Sequence, residues 1–176
     1  MQAFYRNARY DQNSFMNRNI STSAYNVVKA TKVDKKNIIR FYKNQQYSAS
    51  YIGKDQCYIV KVNNIIIACA IISGGKKNDG FWLLHGLVID KVQRGKSIAS
   101  LILQTIITDK DEFTYLRYEQ IICFADIGFQ AFYQSNNFIS YNTSENTAQL
   151  PTEFKQRFNR YREKQKNLHC FISKAV

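Results

Sequence analysis

The sequence has little proline and glycine, with one proline and seven glycines among 176 residues. It also lacks long apolar runs: the longest, Ile65 to Ile72, has eight residues, whereas a helix needs roughly 20 to span a bilayer. These absences exclude collagen-like, low-complexity and membrane-spanning classes. With a hydrophobic content of 45%, the length indicates one folded domain of the usual size.

A continuous apolar stretch, which a secretory signal requires, is lacking in the first 24 residues. This polar, asparagine-rich segment has no periodicity. We therefore expect a cytoplasmic protein without a membrane partner, in which residues 1–24 form an N-terminal arm and residues 25–176 form a single domain.

The sequence has no Cys-x-x-Cys or His-x-x-x-His pair, and it contains two histidines in all. The spacing of ligands that a zinc site needs is therefore missing, and we predict no metal. The four cysteines lie far apart in apolar segments, which favours buried reduced thiols over disulfides; they are Cys57, Cys69, Cys123 and Cys170.

Acidic residues are scarce, since 13 Asp and Glu face 25 Lys and Arg, for a net charge of +12. Residues 151–176 are the most basic segment, with seven basic and two acidic side chains. Such an excess favours an anionic partner. A cationic surface exposed only to solvent is the alternative that charge alone leaves open.

Apolar periodicity predicts alternating strands and helices, and hence an α/β fold around a mixed sheet. Asn63 and Asn64 predict a hairpin turn, because asparagine tolerates positive φ, and residues 142–149 are expected to form a loop. The predicted strands are Tyr25–Thr31, Cys57–Val62, Ile65–Ser73, Phe81–Ile89, Glu119–Ala125, Phe138–Tyr141 and Leu168–Ser173. The predicted helices are 34–45 with Asp34 as N-cap, 97–108, 127–136 ending at the left-handed Asn137, and 151–167 with a basic face.

The stretch from Leu87 to Ala99 predicts a buried strand that leads through a short loop into the N-terminus of a helix. The unpaired N–H groups of such a first turn, next to small residues, can bind phosphate oxygens. Gly95, Lys96 and Ser97 also resemble the end of a P-loop, but that motif needs a glycine at position 90, where this chain has Asp90. The nucleoside triphosphatase interpretation therefore fails.

Two motifs in this order resemble the GNAT N-acyltransferase superfamily. The first is the acyl-CoA signature, which reads Arg94, Gly95, Lys96, Ser97, Ile98, Ala99, and the second is the helix and turn from Phe129 to Phe138 that contains Tyr133. The resemblance covers residues 25–141 in element order, with Leu168–Ser173 as the last strand. It implies a single-domain acyl-CoA N-acyltransferase-like fold, whose mixed, mostly antiparallel sheet of about six to seven strands is flanked by helices.

The resemblance also implies transfer of an acetyl group from acetyl-coenzyme A to a primary amine. The strand Leu87, Val88, Ile89 is expected to bind pantetheine, with a backbone N–H of Leu87 or Val88 polarising the thioester carbonyl. Residues 94–99 and Asp126 complete the expected cofactor site. Ser97 stands where the family has glycine, and Asp126 stands where many members have asparagine.

Tyr133 is implied as the acid that protonates the leaving thiolate, and its alternative role is that of a core tyrosine. For the base that removes a proton from the amine, His85 is the one imidazole in range, while a buried histidine with structural contacts is the more common case. Glu119 is a weaker candidate, and a water chain could also carry the proton.

The acceptor is open at the level of the sequence, either a small molecule or a protein. The basic helix favours an anionic acceptor over a polyamine. A tRNA-directed acetyltransferase of the toxin type is an alternative, although nucleic acid is not the favoured partner. A catalytically silent coenzyme A-binding module is another. The aromatic stripe of the basic helix could dock on its own domain or on a second subunit, so monomer and homodimer both stay open.

Overall fold

The computed structural model describes residues 25–48, 55–75, 80–109 and 120–173. The predicted N-terminal arm and Glu119 lie outside this part of the chain. The strands are β1 Val27–Lys29, β2 Gln56–Val62, β3 Ile65–Gly74, β4 Phe81–Ile89, β5 Gln120–Asp126, β6 Phe138–Ser140 and β7 Leu168–Ser173. The helices are α1 Lys35–Asn44, α2 Ile98–Thr108, α3 Gln130–Ser135, α4 Ser144–Ala148 and α5 Thr152–Lys164.

The seven strands form one mixed sheet in the order β1-β2-β3-β4-β5-β7-β6. Every neighbouring pair is antiparallel except β4 and β5, which run parallel at the centre. A parallel pair needs a crossover connection, and α2 lies in it. The sheet class expected from the sequence is confirmed.

Helices cover both faces of the sheet, and we name the faces by what packs there. The α2/α3 face carries a cluster that includes Ile98, Ile102, Leu103, Ile106, Tyr133, Phe138 and Phe171. The opposite face carries two separate clusters. One joins α1 to β2, β3 and the end of β4 through Ile38, Phe41, Tyr42 and Val88. The other joins α5 to β5, β7 and the start of β4 through Phe154, Phe158, Leu83 and Ile122.

Several local predictions are confirmed. Strands β4 and β7 have the predicted bounds, and β2 pairs with β3 from Val62 and Ile65 outward. Asn63 and Asn64 form the hairpin turn with φ of 50° and 63°, and Asn137 takes φ of 65° after α3. All four cysteines are buried and free. No described helix is long and apolar enough to cross a membrane.

One local prediction is wrong, and a second is confirmed only in part. Residues 142–149 were expected to form a loop, but they contain α4, whose first turn is capped where Thr143 Oγ1 accepts from the N–H of Asn146 at 3.1 Å. A five-residue polar helix is too short to show apolar periodicity, so the sequence pattern missed it. Asp34 stands at the predicted N-cap position of α1, but its side chain makes no cap hydrogen bond; its carboxylate accepts from the N–H of Thr31 at 3.0 Å and pairs with Lys61 at 2.6 Å.

Candidate functional site

The loop after β4 is held by the side chain of Asp90. Its Oδ1 accepts from the N–H of Val92 at 3.0 Å, and its Oδ2 accepts from Nε2 of Gln45, at the end of α1, at 2.9 Å. The backbone N–H of Asp90 donates to the carbonyl of Ile67 at 2.8 Å. Three contacts to three different segments therefore fix the path of the chain into α2.

Two residues of this loop have left-handed backbone conformations, Gly95 with φ of 76° and Ser97 with φ of 58°. A Cβ at Gly95 would meet nothing within 4 Å. The left-handed conformation costs a residue other than glycine about 1–2 kcal/mol. The motif that this loop resembles has glycine at position 97, and the left-handed backbone found there favours glycine. Ser97 adopts the same conformation at a cost in free energy.

The loop also concentrates positive charge in front of α2. Lys91, Arg94 and Lys96 are exposed within six residues; Arg94 Nε donates to the carbonyl of Ile89 at 3.2 Å, and Lys96 Nζ donates to Oε1 of Gln93 at 2.8 Å. The first N–H groups of a helix have no partners within the helix, and the helix dipole adds positive potential there. The arrangement suits a phosphate or pyrophosphate group.

The central parallel strands pair only over their first halves. Pairing between β4 and β5 runs from Phe81 and Gln120 to Leu84 and Cys123, although β4 continues to Ile89 and β5 to Asp126. Beyond Leu84, the edge of β4 that faces β5 therefore has backbone groups that the parallel ladder does not pair. An extended ligand that carries amide groups can hydrogen-bond to such an edge.

A bulge in β4 lies where this pairing ends. Against β3, the register moves from Ile71 opposite His85 to Cys69 opposite Val88, so β4 has one extra residue between these pairs. Gly86 within it has φ of 62°, and its carbonyl accepts from the buried hydroxyl of Tyr42 at 2.7 Å. A bulge of this kind bends the strand, which accounts for the divergence of β4 from β5.

Tyr133 lies on the α2/α3 face beside the last pair of the ladder. Its hydroxyl lies beside the thiol of Cys123. Its ring stacks on Phe171 with centroids 5.0 Å apart and meets Phe138 edge to face at 5.5 Å. Burial raises the pKa of Tyr133 well above its ordinary range, so this phenol keeps its proton at neutral pH.

His85 lies on the opposite face of the sheet, between the α1 cluster and the α5 cluster. Its Nε2 is 2.8 Å from Oγ of Ser73. Burial lowers the pKa of His85 to about 4, the negative charge of Asp55 opposes this shift, and the positive charge of Arg157 on α5 adds to it. The imidazole is therefore neutral at pH 7.

The remaining residues predicted for the cofactor site lie on both faces of the sheet near the diverging strands. Leu87 and Ile89 pack against the α2/α3 cluster, which also contains Ile98, whereas Val88 belongs to the α1 cluster. Asp126 caps the turn after β5, because its Oδ1 accepts from the N–H of Gly128 at 2.8 Å. Its carboxylate therefore has a local structural role, which the comparison with asparagine did not indicate.

Sequence reasoning missed three elements of this arrangement. Gly86 and Tyr42 shape the divergence of β4, and the bond between Gln45 and Asp90 anchors the loop. A single glycine inside an apolar strand was the available signal for the bulge. Within the described segments, no group of three or more His, Cys, Asp or Glu residues is placed to hold a metal ion.

No family model and no curated protein matches the sequence. Solved structures do match the fold. The N-acetylglutamate synthase of Neisseria gonorrhoeae, complexed with coenzyme A and N-acetyl-glutamate, aligns with a TM-score of 0.61 and 13% identity over 86% of this chain. An acetyltransferase of the GNAT family from Staphylococcus aureus aligns with a TM-score of 0.58 and 17% identity over 85% of this chain and 98% of its own. An acyl-CoA N-acyltransferase from Pseudomonas aeruginosa aligns with a TM-score of 0.55 and 9% identity.

The chain spans about a third of the length of the Neisseria synthase, 35%, and nearly all of the two shorter proteins, 98% and 100%. At these identities the likeness is one of fold. The resemblance that the two motifs indicated is confirmed at that level, and the seven-stranded sheet is that of the acyl-CoA N-acyltransferase fold.

Proposed function

We propose that this chain, which has the fold of the GNAT acyltransferases, transfers an acetyl group from acetyl-coenzyme A to a primary amine. The observation that carries the proposal is the divergence of β4 and β5 beyond Leu84 and Cys123. It leaves an unpaired strand edge between a buried protonated tyrosine on one face and a neutral histidine on the other. The phosphate-binding loop lies at the end of the same strand.

The residues around the divergence fit coenzyme A. The cationic loop and the first turn of α2 offer donors and positive charge for the pyrophosphate; the residues proposed for this are Arg94, Gly95, Lys96, Ser97, Ile98 and Ala99. The edge of β4 from Leu87 to Ile89 offers backbone groups to the two amides of pantetheine, with Asp126 at the end of β5 opposite. When bound, acetyl-coenzyme A supplies the activated acetyl group.

The chain's own residues then have two tasks at the thioester. A backbone N–H of Leu87 or Val88 stabilises the negative charge that develops on the carbonyl oxygen. Tyr133 gives its proton to the departing sulfur as the C–S bond breaks and the N–C bond forms. The attacking amine releases one proton to solvent, and the phenol of Tyr133 regains one proton from solvent.

His85 faces the side from which we propose that the amine approaches. Because its pKa of about 4 makes it a weak base, it is suited to accept a hydrogen bond from the amine and pass the proton onward, rather than to hold it. Ser73 orients the ring through Nε2.

The comparisons support use of coenzyme A, since the Neisseria structure contains coenzyme A and an N-acetylated product. The test is release of free thiol from acetyl-coenzyme A by the purified chain, measured against a panel of amines, with mass spectrometry of the products. We expect at least one amine to raise thiol release well above hydrolysis and to gain one acetyl group. If no amine of any class increases thiol release, the proposal is contradicted.

A further inference from the structure

Charge is distributed unequally between the two faces of the sheet. On one face, α1 has four cationic and no acidic side chains, and α5 has five cationic and two acidic ones. On the other face, the sequences of α2 and α3 contain no charged residue. The face that α1 and α5 cover therefore has a positive potential, which attracts anionic partners.

Most cations of α5 are exposed to solvent. The helix is anchored on the sheet by Phe154 and Phe158, which belong to a buried cluster. Its exposed cations are Lys155, Arg160, Arg162 and Lys164. The ion pairs found in the described segments lie elsewhere, and neither involves one of these four cations. The outer side of α5 therefore offers positive charge that an anionic partner can bind.

An aromatic side chain lies among these cations. Tyr161 is 38% exposed, and it stands between Arg160 and Arg162 in the sequence. Because a helix turns by one residue in every 3.6, the two arginines flank the tyrosine on its two sides. The guanidinium of Arg162 lies 5.4 Å from the ring centroid of Phe158, a contact that holds this cation close to the helix. A base can stack on an exposed ring of this kind while the arginines bind the adjoining phosphates.

From this surface we infer that the chain binds single-stranded nucleic acid along the outer side of α5, with phosphates at Arg160, Arg162 and Lys164 and a base on Tyr161. The chemistry that the surface recognises is a phosphate backbone with unpaired bases, which RNA and single-stranded DNA share. The charge of the sequence did not favour nucleic acid over other anionic partners. The position of Tyr161 does, because an acidic protein or an anionic lipid surface has no base to stack on it.

Fluorescence anisotropy with the purified full chain tests the inference. The probes are labelled strands of about 20 nucleotides of RNA and of DNA, together with a DNA duplex of the same sequence, each titrated at several salt concentrations. We expect the single strands to bind more tightly than the duplex, and the ratio between RNA and DNA identifies the preferred source. The logarithm of the binding constant should fall linearly with the logarithm of the salt concentration, with a slope of about 0.7 for each phosphate bound.

Three variants make the test specific to α5. Arg160→Gln combined with Arg162→Gln is expected to weaken binding about 10-fold or more and to reduce the salt slope by about 1.4, because two phosphate contacts are lost. Lys91→Gln combined with Lys96→Gln removes the same charge from the loop before α2 and is expected to keep the affinity within about threefold. Tyr161→Leu keeps an apolar side chain and is expected to weaken binding about 10-fold without a change in the salt slope.

Equal losses of affinity in the two charge-removing variants would show that net charge alone drives binding, and would overturn the inference. A duplex that binds as tightly as the single strands would also overturn it, as would binding to polyglutamate or to phosphatidylserine vesicles without binding to either strand. Far-UV circular dichroism checks that each variant is folded. Because these measurements need neither coenzyme A nor an amine, their outcome is independent of the proposed acetyl transfer.

Discussion

Tyr133→Phe is expected to lower kcat of acetyl transfer by about 100-fold or more, which is the usual contribution of a positioned general acid. The variant keeps the ring that stacks on Phe171 and loses the hydroxyl that lies beside Cys123. Binding of coenzyme A is expected to stay within about threefold, since the phosphate-binding loop is unchanged. Steady-state kinetics of thiol release and a parallel titration measure the two effects.

The matched control is Tyr58→Phe, because Tyr58 belongs to the same core cluster and its hydroxyl bonds Asp109, away from the diverging strands. It is expected to lower stability by about 1 kcal/mol, as the loss of one hydrogen bond does, and to leave kcat unchanged. Unchanged kcat in Tyr133→Phe would show that Tyr133 is a core tyrosine. An absence of turnover in both the wild type and the variant, with coenzyme A bound, would support a silent coenzyme A-binding module.

Gly86→Ala is the second large effect that we expect. A Cβ at this position would lie 2.9 Å from the hydroxyl of Tyr42 and 3.3 Å from Cδ1 of Ile71, and the residue has φ of +62°. The left-handed conformation costs about 1–2 kcal/mol, and displacement of the buried Tyr42 hydroxyl adds about 1–3 kcal/mol. Urea unfolding should therefore show a loss of stability of about 2–5 kcal/mol, together with lower turnover, because the bulge sets the divergence of β4.

Gly95→Ala is the control for this variant, because Gly95 has φ of +76° but its Cβ would meet nothing within 4 Å. It is expected to show the cost of backbone strain alone, about 1–2 kcal/mol. Combining Gly86→Ala with Tyr42→Phe removes the clashing hydroxyl. The loss of stability in the double variant should therefore be smaller than the sum of the losses in the two single variants. If Gly86→Ala is as stable as the wild type, the structural role assigned to the bulge is wrong.

The sequence predicted the sheet and the course of the loop before α2 because both depend on local patterns. Apolar runs bounded by Asn63 and Asn64 specify the hairpin, and the spacing from Arg94 to Ala99 specifies the loop. The site on the other face was not predictable in the same way, since it brings together residues far apart in the chain. The contact of Tyr42 with Gly86 spans 44 positions, and the packing of Phe158 with Leu83 depends on where α5 lies on the sheet.

Calorimetric titration of the purified chain with acetyl-coenzyme A tests whether the diverging strands and the loop before α2 form an acyl-coenzyme A site. We expect one saturable site per chain, weakened in Lys96→Gln, which removes a cation of the loop, and unchanged in Lys155→Gln, which removes an exposed cation of α5 on the opposite face of the sheet. A wild-type chain that shows no saturable binding would contradict the assignment of residues 94–99, and with it the proposed acetyl transfer.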